Sequence, residues 1–334
     1  MKRRFIVAAV QAPAGQIAGP VGDLAWMQEQ TALAAGQGAV LVVWPECSYP
    51  AYFLRSVEHF HDTASKRLSY QQFVQRLSSL AGKLKIHLAA GAVEERPDGN
   101  LSNAAVLFGP DGRLLCTYRK VFLWHFDNRY FVAGEEVPVI ETALGRLGLM
   151  VCADGRCPEL AAIAARRGAQ LMCNPTAWVS WGRTAELLTN PQIEYFIPAR
   201  AMENDCWILS ANKVGVEAES VVYCGRSNLV SPAGEMVAAM DSAAAGLLIG
   251  EVDLSACGSA SDGGAMSTRR AARDWPAILT QDTAILPITR NMLIVQQQQP
   301  RPGKPCDSLV LAAVAGRLEQ LDPGRLMADL AAQS

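Results

Sequence analysis

An α/β architecture, with a sheet core and helices outside it, is what this 334-residue sequence predicts. Two observations carry the prediction. Short β-rich runs alternate with stretches of helical spacing, and further strands follow the last alternation. Half of the residues are hydrophobic and 19% are charged, which is enough apolar material for a large core.

The elements follow in order. "FIVAAVQA" (5–12) is strand-like, and 23–36 has helical spacing closed by glycine. "AVLVVWPE" (39–46) is a continuous apolar run ending at Pro-Glu, as expected of a strand covered on both faces. Residues 70–85 form an amphipathic helix with Phe73, Leu77, Leu80, Ala81 and Leu84 on one face. "IHLAAGAVEE" (86–95), "AAVLFG" (104–109) and "LLCTYRK" (114–120) are strands punctuated by "RPDGN" and "GPDGR". Strand 148–152 precedes helix 158–167, with proline in its first turn. Strand 170–176, helix 194–204 and strands 206–215, 227–232 and 246–254 complete the series. From Ala256 the periodicity fades. "QQQQPRPGKP" (296–305) reads as a linker and 310–321 as a C-terminal helix, packed on the body or on a partner. The expected organisation is one domain over 1–255 and a C-terminal extension, 256–334.

The composition excludes several classes. A formal net charge of −2 gives no electrostatic footprint for nucleic acid or an anionic membrane. No apolar run reaches the ~18–20 residues that span a bilayer. The apolar part of the N-terminus, Phe5 to Val10, is short for the ~7–15-residue core of a secretion signal. Nine scattered cysteines make no disulfide framework and fit a reducing cytoplasm. No CxxC pair occurs and the four histidines fall in no ligand pattern, so neither a metal nor a cofactor is expected.

Three strand ends carry an ionisable residue: Glu46, Lys120 and Cys152. Strand ends in α/β folds converge on one rim, where ligand crevices form. A carboxylate, an ammonium and a thiol gathered there would perturb one another's proton affinities. Together they suit nucleophilic catalysis without histidine. Glu46 takes the thiol proton, and Lys120 stabilises negative charge. The thiolate attacks carbon to give a thioester, with Lys120 and the Ala153 N–H facing the oxyanion.

"VQAPAG", "VVWPECSYP", "LSNAAVLFGPDGRLLCTYRKVFL", "VCADGRCPEL", "ARAMENDCWILSANKVG" and "GRSNLVSPAGE" come in the order and spacing of the nitrilase (carbon–nitrogen hydrolase) superfamily. The resemblance spans about residues 5–255. It implies a four-layer α-β-β-α sandwich of the nitrilase type with an extended tail, a Glu46–Lys120–Cys152 triad, and a homodimer or higher homo-oligomer. True nitrilases resemble one another in a Trp-Glu pair after the nucleophile. Here Ala153 and Asp154 stand there, which turns the expectation from nitriles toward a small amide or N-carbamoyl compound. "HFDNRYFVAGEE" resembles the carbamoylase stretch that supplies a second glutamate. That position is Asp127, one methylene shorter, either a supporting carboxylate or a turn residue. Arg156 falls where carbamoylases grip a substrate carboxylate, a job that suits a guanidinium fork; the alternative is an ion pair with a carboxylate such as Glu159. Asn174, Trp178 and Trp124 are candidates for the pocket wall, against turn or core roles. Cys47 should point away from Glu46 if the strand alternation continues through both.

Overall fold

The computed structural model describes residues 4–15, 22–180 and 188–257. In chain order the elements are β1 (Arg4–Pro13), α1 (Gly22–Gly36), β2 (Ala39–Val43), α2 (Val57–Asp62) and α3 (Tyr70–Leu84). Next come β3 (His87–Glu95), β4 (Leu101–Phe108), β5 (Leu114–Arg119), α4 (Asp127–Tyr130), β6 (Val139–Thr142) and β7 (Gly145–Leu149). Then follow α5 (Pro158–Arg166), β8 (Leu171–Pro175), α6 (Ile197–Asn204), β9 (Trp207–Ala211), β10 (Lys213–Glu217) and β11 (Val221–Cys224). β12 (Asn228–Val230), β13 (Met236–Ala239) and β14 (Gly246–Asp253) close the series. Linker 296–305, helix 310–321 and nearly all of the extension 256–334 lie outside the described residues. Among the described residues, no helix is long and apolar enough to cross a membrane.

The strands build two sheets. The first runs β11-β10-β1-β2-β3-β4-β5, with β14 antiparallel along most of β1; the second runs β13-β12-β9-β8-β7-β6. Within each, the central pairs β1/β2, β2/β3, β7/β8 and β8/β9 are parallel. One apolar cluster lies between the sheets and continues under α5, including Val7, Leu41, Val43, Leu147, Leu149 and Ile208. A second lies between the first sheet and α1 and α3, with Met27, Phe73, Leu77 and Val106. The order helix, sheet, sheet, helix is the four-layer sandwich expected. α3 shows why its sequence folds so: Ser69 and Gln72 form a reciprocal capping box at its start. Phe73, Leu77 and Ala81 then bury one face.

Two differences from the sequence expectation matter to the site. The run 206–215 is two strands, not one: β9 belongs to the second sheet and β10 to the first. The chain changes sheet at Asn212, whose polar atoms replace the ladder bonds. Its N–H donates to Ser227 Oγ at 2.9 Å, Nδ2 donates to the Gly225 carbonyl at 2.6 Å, and Oδ1 accepts from the Trp178 N–H at 2.8 Å. Second, helix 194–204 begins with a π turn, Gln192–Phe196, before α6. Pro198 has no N–H to continue a regular ladder, and a wider turn absorbs the gap.

Candidate active site

β2 stops at Val43, so Glu46 stands three residues beyond the strand in a tight turn. The turn can lie against β3 only because residue 91 is glycine. A Cβ there would sit 2.5 Å from the Cys47 nitrogen and Glu46 Cα. Gly91 donates to the Pro45 carbonyl at 3.0 Å and accepts from the Ser48 N–H at 2.9 Å. The Glu46 N–H donates across to the Thr176 carbonyl, just past β8, at 3.2 Å. Glu46 is thereby tied to both sheets. Cys47 does not alternate away as a strand residue would. It adopts φ 41°, and its Sγ lies 3.5 Å from Asn103 Oδ1, the same asparagine that holds Glu46.

Lys120 follows β5 directly, its N–H donating to the Asn103 carbonyl at 2.8 Å. Its Nζ donates to Glu46 Oε1 and Asp127 Oδ2, each at 2.6 Å, and all three side chains are fully buried. Asp127 opens α4 and also accepts from the Trp124 N–H at 3.0 Å. The shorter carboxylate therefore reaches Lys120 directly. Asn103 Nδ2 adds a 2.6 Å bond to Glu46 Oε1.

Cys152 lies three residues past β7, at the start of a 3₁₀ turn rather than at a strand tip. Its φ of 46° is left-handed, a strained conformation for a non-glycine residue and one that collects at functional sites. The surroundings hold it there. Asn174 Oδ1 accepts from the Cys152 N–H at 3.1 Å, and Asn174 Nδ2 donates to Ser210 Oγ at 3.1 Å. Gln192, with its amide turned to suit its neighbours, donates to the Cys152 carbonyl at 2.6 Å and accepts from Trp178 Nε1 at 3.1 Å. Asn174 holds the Cys152 backbone directly and Trp178 does so through Gln192, and the wholly buried Trp178 ring is part of the core. Asn174 lies within β8, not in a turn, and Trp178 is packed in the core.

Asp154, read in the sequence only as a branch marker, is a brace. Its Oδ2 accepts from Tyr118 Oη at 2.7 Å and the Val151 N–H at 2.8 Å, while Oδ1 accepts from the Phe122 N–H at 2.8 Å. One carboxyl thus fixes the Cys152 turn and the segment after Lys120 to each other. Burial pushes this carboxyl up to about 6, against the hydrogen bonds that favour its ionised form.

The electrostatics follow from burial. Desolvation raises Glu46 above the usual carboxylate range, Lys120 pulls it back, and Asp127 adds to the rise. Burial opposes charge on Lys120, yet Asp127, Glu46 and Cys152 hold it above its ordinary value. Desolvation and Glu46 push the Cys152 thiol up, with Lys120 opposing. The resting state is thus a neutral thiol beside a cation and a carboxylate that takes a proton readily.

Several buried polar atoms around this group have no hydrogen-bond partner: Glu46 Oε2, Asp127 Oδ1, Tyr52 Oη and Arg156 Nε. Arg156 is 8% exposed, and no carboxylate stands within ion-pair distance of it among the described residues. The pairing with Glu159 is not made. The Arg156 guanidinium lies 5.7 Å from the ring centre of Trp124, which is half-buried beside Lys120. The Tyr52 ring lies 5.7 Å from Lys120 Nζ. Tyr52, Asn103, Asp154 and Gln192 were missed in the sequence. Asn103 left a signal, a polar residue inside the apolar run "LSNAAVLFG"; the others left none a single sequence could separate from surface or core.

The model of the carbon-nitrogen hydrolase family matches residues 6–262. The chain belongs to the carbon-nitrogen hydrolase family. It is a hydrolase of non-peptide C–N bonds that works through a cysteine. Among curated relatives it is 34% identical over 215 residues to omega-amidase NIT2 of Homo sapiens, covering 61% of this chain and 74% of that protein. To omega-amidase NIT2 of Danio rerio it is 32% identical over 244 residues, covering 70% and 83%. Among solved structures it resembles an amidase from Nesterenkonia sp. with a TM-score of 0.63 and 28% identity, covering 75% of this chain and 90% of that one. A glutamate-to-glutamine variant of the Nesterenkonia sp. AN1 amidase, showing Michael addition of acrylamide at the active-site cysteine, matches at a TM-score of 0.61 with 29% identity, over 75% and 92% of the two chains. The family, the sandwich and the preference for amide chemistry over nitriles agree with the sequence expectation.

Proposed function

We propose that Cys152 is the nucleophile, Glu46 the general base and acid, Lys120 the oxyanion stabiliser, and Asp127 the carboxylate that aims Lys120. The reading rests on one observation above all. Glu46 spends Oε1 on Lys120 and Asn103 and keeps Oε2 free of them in a fully buried position beside Cys152. That free oxygen takes the thiol proton as Cys152 attacks the amide carbon. Lys120 and the Ala153 N–H meet the charge that grows on the carbonyl oxygen. Glu46 returns the proton to the departing nitrogen, which leaves as ammonia or an amine and gives a thioester. A water then loses its proton to Glu46 and attacks the thioester carbon. Collapse expels the Cys152 thiolate, which recovers the proton.

The substrate we propose is a small primary amide that carries a carboxylate. A buried guanidinium that meets no carboxylate among the described residues suits a ligand that supplies the anion. Arg156 meets that description, and Trp124 beside it offers an apolar wall. The curated relatives named omega-amidase agree with a terminal amide. Ammonia release across succinamate, glutaramate, butyramide, N-carbamoyl amino acids and short nitriles tests this. The monoamides of the short dicarboxylic acids should exceed butyramide. A carbamoyl or nitrile substrate turned over faster would overturn the assignment.

We also propose a homo-oligomer in a reducing cytoplasm. Tyr195 in the π turn before α6 and Met202 on α6, 69% and 40% exposed, are apolar surface suited to a second copy. The eight described cysteines are all free. Light scattering that gives a monomeric mass would remove the first of these proposals.

A further inference from the structure

Behind Glu46 lies a second buried ion pair that the reaction does not use. Lys213 and Glu217 are four residues apart on β10, both almost fully buried, with Nζ and Oε2 at 3.3 Å. Alternation along the strand puts both side chains on one face. That face looks onto the loop 47–53, which begins beside Glu46 and includes Tyr52. Lys213 Nζ also donates to the Cys47 carbonyl at 3.1 Å, at the start of the loop. Glu217 Oε1 accepts from the Phe53 N–H at 2.5 Å, at its end. Tyr223 Oη donates to Glu217 Oε2 at 2.8 Å, so both carboxylate oxygens are occupied. The rings of Tyr223 and Tyr52 stand 5.4 and 6.0 Å from the Lys213 ammonium.

Burying a charge pair is a poor way to gain stability, because apolar residues of similar volume commonly do as well. This pair does something such residues cannot, which is to hold a backbone carbonyl and a backbone N–H six residues apart in fixed places. The carbonyl belongs to Cys47, held at φ 41°. The Cys47–Ser48 peptide, one residue past Glu46, is thus held at both ends, its carbonyl by Lys213 and its N–H by Gly91, while the Glu46 N–H is fixed by Thr176. We infer that Lys213 and Glu217 are positioning residues for the reaction: they clamp the 47–53 loop so that Glu46 stays aimed at Cys152. β10 enters the first sheet only because the chain crosses over at Asn212, so the clamp also couples Glu46 to the strand that leaves the nucleophile's sheet.

The inference rests on Glu46 as the base, and one experiment separates the two. The rate of Cys152 alkylation by iodoacetamide is followed by peptide mass mapping in wild type, Glu46→Gln, the double variant Lys213→Met/Glu217→Gln, and the triple combination. The double variant removes both charges, leaving no lone buried ion, and its glutamine still accepts from Phe53. It should melt within a few degrees of wild type and alkylate Cys152 about ten-fold more slowly, since misplacement by an ångström costs one to two orders of magnitude. Added to Glu46→Gln it should cause no further loss, because groups acting through one another are not additive. Full additivity, or a wild-type rate in the double variant, overturns the clamp. A wild-type rate in Glu46→Gln overturns the base assignment, and the clamp's purpose with it.

Discussion

Two buried charge clusters lie side by side in this molecule, and they are finished differently. In the Lys213–Glu217 cluster both carboxylate oxygens are occupied, and the ammonium meets a carboxylate, a carbonyl and two aromatic faces. In the Glu46–Lys120–Asp127 cluster, Glu46 Oε2 and Asp127 Oδ1 are left without partners, with Tyr52 Oη and Arg156 Nε in the same state nearby. Buried polar atoms in native proteins are nearly always paired. Four of the ten exceptions among the described residues lie around one strained cysteine, where Tyr52 faces Asp127 and Glu46 faces the thiol.

Changes that complete or empty the open cluster should cost activity more than fold. Glu46→Gln keeps the shape and removes the base, and should lower kcat by about 10²–10⁴. Lys120→Met should cost about 10²–10³ through the oxyanion, read from the same steady-state rates. Gly91→Ala comes next. It touches no reacting group, yet its Cβ cannot coexist with the Glu46 turn, so activity should fall about 10²-fold along with the melting temperature. A near-normal rate would show that the turn need not lie on β3. Arg156→Met should raise KM for carboxylate-bearing amides about 10–100-fold while leaving butyramide nearly untouched. It should not lower the melting temperature, because it removes a buried charge that meets no carboxylate among the described residues.

The smallest effect concerns pH. Asp154 is raised from 3.8 to about 6 in the folded state. A carboxyl raised in this way binds its proton more tightly when folded. Its contribution is therefore present at acid pH and is lost as pH climbs from about 4 to about 6. The shift corresponds to roughly 3 kcal/mol across that window. Asp154→Asn should flatten the stability slope there, although Glu46, raised in the same direction, keeps part of it. The variant should also be less stable at pH 7, where three donors would compete for one amide oxygen. Urea titrations at several pH values read both effects.

The sandwich and the three proposed reactive residues were legible because each leaves a local mark. Alternation writes the strands, a capping box writes α3, and Glu46, Lys120 and Cys152 each end an apolar run. What was not legible depends on contacts distant in sequence. Asn103 and Asp154 act by joining segments 57 and 32 residues away. The split of 206–215 between two sheets hangs on the side chain of Asn212. Cys47 and Cys152 leave strand geometry altogether, and a left-handed cysteine has no signature of its own.

The central claim is that Cys152 carries the acyl group. It is tested most directly by the rate of ammonia release from a primary amide in Cys152→Ala, measured at matched folded protein. The account predicts a loss of about 10⁴-fold or more, as for nucleophiles elsewhere whose neighbours cannot act without them. A rate within ten-fold of wild type would contradict it.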